Sequence, residues 1–158
     1  MLRKFMIAAA SVAVMAPSAT AFAQGTADQA KAMLMKAVAA VKADEPKAIT
    51  MFNNGEGGFL EGDLYVFCIN LSTGKLVALG NPNAKQLLGR DERTLKDSTG
   101  KAFGKEIFDA MQKPEGQITE VRGYMFPKPG ANKTPVSKVS LVTKASNDLG
   151  CGVGYYPK

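Results

Sequence analysis

Few residues in this sequence can do chemistry, and two cysteines lead them. Cys151 sits in LGCGVGYYPK among alternating glycines, and Cys68 sits in DLYVFCIN. A cysteine in such a setting is a reactive thiol, a metal or haem ligand, or half of a structural bridge. The composition removes several of these options. The 158 residues include no histidine, which excludes Ser-His-Asp and Cys-His nucleophiles, histidine zinc sites and His-ligated haem. The cysteines are too far apart for a C-x-x-C redox pair, and there is no C-x-x-C-H haem-attachment motif. Asp91 and Glu92 stand beside no base in a recognisable catalytic arrangement, so no enzyme is expected. Asp97-Ser98-Thr99-Gly100 lacks the D-x-D-x-D-G run of a calcium loop and reads as an Asx-turn. No metal and no cofactor is expected.

The compartment decides what the cysteines do. Arg3 and Lys4 precede the apolar stretch FMIAAASVAVMA, and Ala21-Phe22-Ala23 places small residues where a signal peptidase reads them. Residues 1–23 are therefore expected to be a signal peptide cleaved after Ala23, with a periplasmic mature protein. The run falls short of the ~20 apolar residues of a membrane span, and no later segment is expected to insert. Cleavage leaves 135 residues, enough for one domain over 24–158, and lowers the formal charge from +6 to +4. Without a lysine/arginine block or aromatics interleaved with basic residues, nucleic acid is not an expected partner.

The elements that must position these residues are legible from periodicity. TADQAKAMLMKAVAAVKAD reads as a helix with a Thr26/Gln29 capping box and an apolar stripe of Ala30, Met33, Leu34, Ala37, Val38 and Val41. Asp44-Glu45-Pro46 ends it and starts a short second helix, which NNGEGG closes. The period then becomes two. DLYVFCIN and KLVAL form a hairpin across LSTG. A polar middle of short helices and loops follows, then the helix GKEIFDAMQK with Ile107, Phe108 and Met111 inward. QITEVRGYMF, KVSLVTK and GCGVGYY are three further strands. Strands gathered in blocks argue for an α+β fold with an antiparallel sheet. Gly150, Gly152 and Gly154 share one face of the last strand, which implies a close approach there by a ligand or by the long helix. Cys151, Val153 and Tyr155 point the other way.

From GDLYVFCIN onward the sequence resembles a single Cache domain, the PAS-like extracellular sensor module of bacteria, in its small exported stand-alone form. TGKLVALGNP, LLGRDERTLKDSTGKAFGKEIFDAM, YMFPKPG with PVSKVS, and GCGVGYY agree with the family in order. The resemblance implies a long N-terminal helix on a five-stranded antiparallel sheet of order 2-1-5-4-3. A ligand pocket would lie on the other face under the short helices and loops. It also makes the first and last strands neighbours, and a Cys68–Cys151 disulfide follows from that neighbourhood in an exported chain.

The family binds small organic molecules, often short carboxylates. Lys138 in the K-x-S strand is the first candidate for holding an anionic group, with Ser140 on the same face. Tyr65 and Phe67 share a face and serve either the pocket or the core; the Tyr65 hydroxyl would need a partner. Tyr124 and Phe126 line the pocket mouth or staple the loop. Arg90 and Arg122 are the other cations near the roof, with surface solvation as their ordinary role. The sequence departs from its relatives where histidine becomes Leu79, the K-x-S-Y tyrosine becomes Leu141, and a tryptophan becomes Met125 or Phe126. The expected function is ligand binding, with signalling or delivery through a separate membrane-bound receptor or transporter. The alternatives are a ligand-free interaction domain or a thiol-dependent redox protein.

Overall fold

In the computed structural model, which describes residues 24–158, the chain begins with two helices joined at one residue. The expected signal peptide lies outside the described residues. Helix α1, Ala27–Ala43, starts in the expected capping box. The Gln29 N–H donates to the Thr26 hydroxyl at 3.2 Å, and the Thr26 N–H donates to the Gln29 side-chain carbonyl at 2.9 Å. Two donors that a first helical turn leaves orphaned are thereby satisfied. Ala30, Met33, Leu34, Ala37 and Val41 are buried, with Val38 at the margin of the stripe. Asp44 ends α1, and its carboxylate accepts from Lys47 N–H to cap α2, Glu45–Asn54. Gly55 closes α2 at φ 69°, a left-handed conformation that glycine adopts without steric cost.

The strands are β1 (Leu60–Glu61), β2 (Leu64–Asn70), β3 (Leu76–Leu79), β4 (Thr119–Pro127), β5 (Pro135–Lys144) and β6 (Leu149–Tyr155). All pairings are antiparallel. The five longer strands stand in the order β3-β2-β6-β5-β4, matching the implied 2-1-5-4-3. The two-residue β1 is an addition, pairing with Leu64 and Tyr65 of β2. Between β3 and β4 lie 3₁₀ helices at Pro82–Leu87 and Glu92–Thr94, then α3, Phe103–Met111. Ile107 and Met111 point inward as expected. Phe108 does not join them fully: it is only partly buried, under the Arg93 guanidinium 5.2 Å from its ring.

Period-two alternation divides the sheet into two apolar faces. Leu64, Val66, Cys68, Cys151 and Val153 face the α1 side and share its core with Leu34 and Ala37. Tyr65, Phe67 and Ile69 face the other way and pack with Ile107 and Met111 of α3. Cys68 and Cys151 are directly opposed on β2 and β6, with Cα atoms 4.1 Å apart, and their sulfurs are bonded. Neither cysteine is free, so the structure places both in a bridge across the sheet.

The bridge links residues separated by 83 positions at the centre of the sheet. Replacing both cysteines by alanine is expected to cost roughly 2–4 kcal/mol, mainly by freeing the unfolded chain. Urea unfolding of the oxidised protein and the double variant checks this; equal midpoints and slopes would show that the bridge adds nothing.

Candidate ligand-binding cavity

The face of the sheet away from α1 carries a cavity, closed by α3 and the 3₁₀ segments. Its walls include Tyr65, Phe67, Leu76, Leu79, Leu87, Leu95, Phe103, Ile107, Tyr124 and Phe126, with Lys138 and Glu92 as the charged members. The cavity is small, about 20 Å³. That is room for about one water.

Two backbone features aim the side chains. In β4, Val121 pairs with Ser140 whereas Tyr124 pairs with Lys138, so one extra residue bulges between them. Gly123 takes φ 70° there. The bulge shifts the alternation by one, turning Tyr124 and Phe126 to the same face as Val121. In β6, each alternating glycine is a notch. A methyl group at Gly150 would meet Met111, one at Gly152 would meet Phe67 and Val142, and one at Gly154 would overlap Lys138 Cε and press on the Ser140 hydroxyl. The close approach is thus made by the protein's own side chains from neighbouring elements, not by α1.

The notch at Gly154 explains the course of Lys138. This lysine is only 2% exposed. Its side chain leaves β5, crosses β6 above Gly154, and donates through Nζ to the Tyr65 hydroxyl on β2 at 2.5 Å. Around the ammonium stand the rings of Tyr65, Phe126, Tyr156 and Phe67, at 4.2, 4.7, 5.4 and 5.8 Å from their centroids. Ring faces partly replace the lost water by cation–π attraction. The ammonium has three protons, and Tyr65 takes one. Tyr124 stacks on Phe103 at 4.7 Å, and its hydroxyl pairs with that of Ser140 at 2.6 Å. The Ser140 hydroxyl is thus engaged by Tyr124, and Ser140 is not among the residues that line the cavity. Burial pushes the Tyr124 and Tyr156 hydroxyls up from their ordinary pKa, so both stay protonated.

Glu92, in the second 3₁₀ helix, is a cavity residue that the sequence offered only as an acid without a base. It is 3% exposed, and its Oε2 has no hydrogen-bond partner. Burial pushes its carboxyl up to about 7, against the opposing pull of Lys138 and with a smaller push from Asp91. Its position is fixed by Gly104, where any Cβ would collide with the Glu92 carbonyl oxygen. Nothing in RDERTLKD marks it as buried. Asp91 and Arg93 pair with each other at 2.6 Å on the exposed side, and a third charge between them reads as solvated.

The Asx-turn at Asp97 is present and has a second task. Oδ1 accepts from Thr99 N–H at 2.8 Å and Lys101 N–H at 3.0 Å, while Oδ2 accepts from Met125 N–H on β4 at 2.8 Å. The roof loop is thus tied to the strand that carries Tyr124 and Phe126. Those bonds, led by the Thr99 hydroxyl, hold the Asp97 carboxyl down to about 2. Arg90 and Arg122 are exposed, and Arg122 pairs with Glu120. Leu79, where the family resemblance implies histidine, lines the cavity. Leu141 packs on the α1 side of the sheet, so the departure expected there from the resemblance does not bear on the cavity.

The family model "Single Cache domain 2" matches residues 8–155. No curated protein matches significantly. Among solved structures, a methyl-accepting chemotaxis protein from Vibrio parahaemolyticus is 23% identical, with 82% of this chain and 86% of that one covered at a TM-score of 0.63. The periplasmic sensor domain of a chemotaxis protein is 22% identical over 83% and 90%, at 0.59. A Cache chemosensory domain described for its carboxylic acid recognition is 24% identical over 83% and 88%, at 0.58. At such identities the likeness is one of fold.

Two outcomes follow from this geometry. The raised pKa of Glu92 means that the folded state keeps a proton which the unfolded chain releases from its ordinary value of 4.5. Stability must then fall as pH rises from about 4.5 to about 7, by at most ~3 kcal/mol, and this contribution is flat above. Urea unfolding at several pH values should show the slope in the wild type and its loss in Glu92→Gln; an unchanged slope would refute the assignment. Gly154→Ala should cost ~1–3 kcal/mol by displacing Lys138. Adding Lys138→Ala should recover part of that loss, a coupling that a double-mutant cycle measures.

Proposed function

The chain belongs to the single Cache domain 2 family, and on that premise we propose that it is an exported binding protein whose cavity captures a small organic ligand, a short carboxylate. The observation that carries this reading is Lys138: a buried ammonium with hydrogen-bonding capacity facing an aromatic and aliphatic cavity. A carboxylate entering such a place exchanges water for a charge-assisted hydrogen bond of the stronger kind. The remaining walls are apolar, as small-molecule sites usually are. The structural neighbour described for carboxylic acid recognition adds support by analogy of fold. The narrow cavity favours a ligand of a few carbons and requires the roof to yield on entry. Its narrowness also favours a second reading, a ligand-free interaction domain.

Export would rest on the basic and apolar stretch of residues 1–23. Among the described residues no helix is long and apolar enough to cross a membrane. Signalling or delivery would then run through a separate membrane-bound receptor or transporter. The reading involves no catalysis.

A thermal-shift panel of two- to four-carbon carboxylates tests it. At a hundredfold excess over Kd, a ligand of the native state is expected to raise the wild-type Tm by about 5–10 °C. Lys138→Met should match or exceed the unliganded wild type, because a buried charge is removed, and should lose the ligand-dependent shift. If no carboxylate shifts the wild type and native mass spectrometry finds nothing bound, the interaction domain becomes the better account.

A further inference from the structure

Glu92 is costly where it stands. Its carboxyl is buried, Oε2 is unpartnered, and the neighbouring roof positions Leu87 and Leu95 show that leucine serves the same wall. A buried acceptor left without a donor opposes folding. The second 3₁₀ helix is nonetheless held against α3 at Gly104, where even a methyl group would collide with the Glu92 carbonyl oxygen. That contact holds the backbone of Glu92, and the residue lines the cavity. Above about pH 7, where Glu92 is ionised, a simple carboxylate on Lys138 would leave Glu92 without a donor and bring a second negative charge into the same cavity.

A ligand that carries a donor beside its carboxylate removes both difficulties. We propose that Glu92 is a second binding residue of this cavity, accepting a hydrogen bond from a hydroxyl or protonated amine on the carbon next to the ligand's carboxylate, while Lys138 holds the carboxylate itself. The ligand class is then short 2-hydroxy or 2-amino acids rather than simple fatty acids. This rests on the carboxylate reading given above. The charged groups acting on Glu92 are Lys138 and Asp91. Lys138 has opposite charge and shares the cavity, so a ligand spanning the two meets an acceptor at one end and a donor at the other. A zwitterion adds no net charge between them. A hydroxy acid fits with Glu92 as acceptor for its hydroxyl.

Isothermal titration of the full chain at pH 7.5 with propionate, 2-hydroxypropionate and alanine, equal in carbon number, tests the inference. At least one donor-bearing acid is expected to bind the wild type about tenfold or more tighter than propionate, the worth of one buried acceptor regaining a partner. Which of the two leads tells hydroxyl from amine. Glu92→Leu should bind propionate as well as or better than the wild type and bring the three acids within about twofold, a range below the worth of one buried hydrogen bond. Glu92→Gln, closest in shape, should keep a hydroxyl preference and lose an amine preference; it carries the test if the leucine variant does not fold. The inference is overturned if propionate equals or outbinds both other acids on the wild type, or if the preference survives in Glu92→Leu. If the wild type binds none of the three, the carboxylate reading itself fails and takes this inference with it.

Discussion

The ammonium of Lys138 lies buried across the sheet, and the arrangement of the cavity face depends on accommodating it. A lysine head in an apolar interior must have partners. Here the Tyr65 hydroxyl and four aromatic rings supply them. The side chain reaches those partners only because Gly154 leaves the intervening strand without a Cβ at the crossing point. The β4 bulge is a second condition, since it brings Phe126 to the same face. A glycine that would weaken an ordinary strand becomes the means by which three strands share one charged side chain.

The other face of the sheet is simpler, and that contrast organises the molecule. Against α1 the strands present small and aliphatic groups around a cross-strand disulfide. Ala30 and Ala37 of the helix are fully buried in that core. No buried charge among the described residues of that core cluster needs a partner. One face is therefore closed by covalent linkage and apolar packing, while the other keeps Lys138, Glu92 and the hydrogen-bonded Tyr124–Ser140 pair.

Much of this was legible from local signals. The capping box, the double role of Asp44, the Gly55 stop and the Asp97 turn are all contacts made within a few residues, so short-range sequence is sufficient to specify them. The alternation of β2 correctly separated Tyr65 and Phe67 from Cys68. Other features escaped for physical reasons. Phe108 follows the helical stripe, yet Arg93 from a separate element covers it. Leu141 was counted with the cavity departures, but its strand parity sends it to the α1 side. As a cavity residue, Glu92 was invisible because its exposed neighbours pair with each other and its burial comes from α3, a separate element next along the chain.

The sequence by itself determined the helices, their caps, the strands and the α+β class, because each depends on spacing along one segment. Resemblance to a family supplied the strand order and, through it, the partner of Cys151. Only the tertiary structure decided what the three glycines of β6 are for, and which charges share the cavity. A side chain that crosses a neighbouring strand, or a carboxyl buried by a helix from a separate element, has no local signature. Its surroundings exist only after β2, β5 and β6 have been laid side by side.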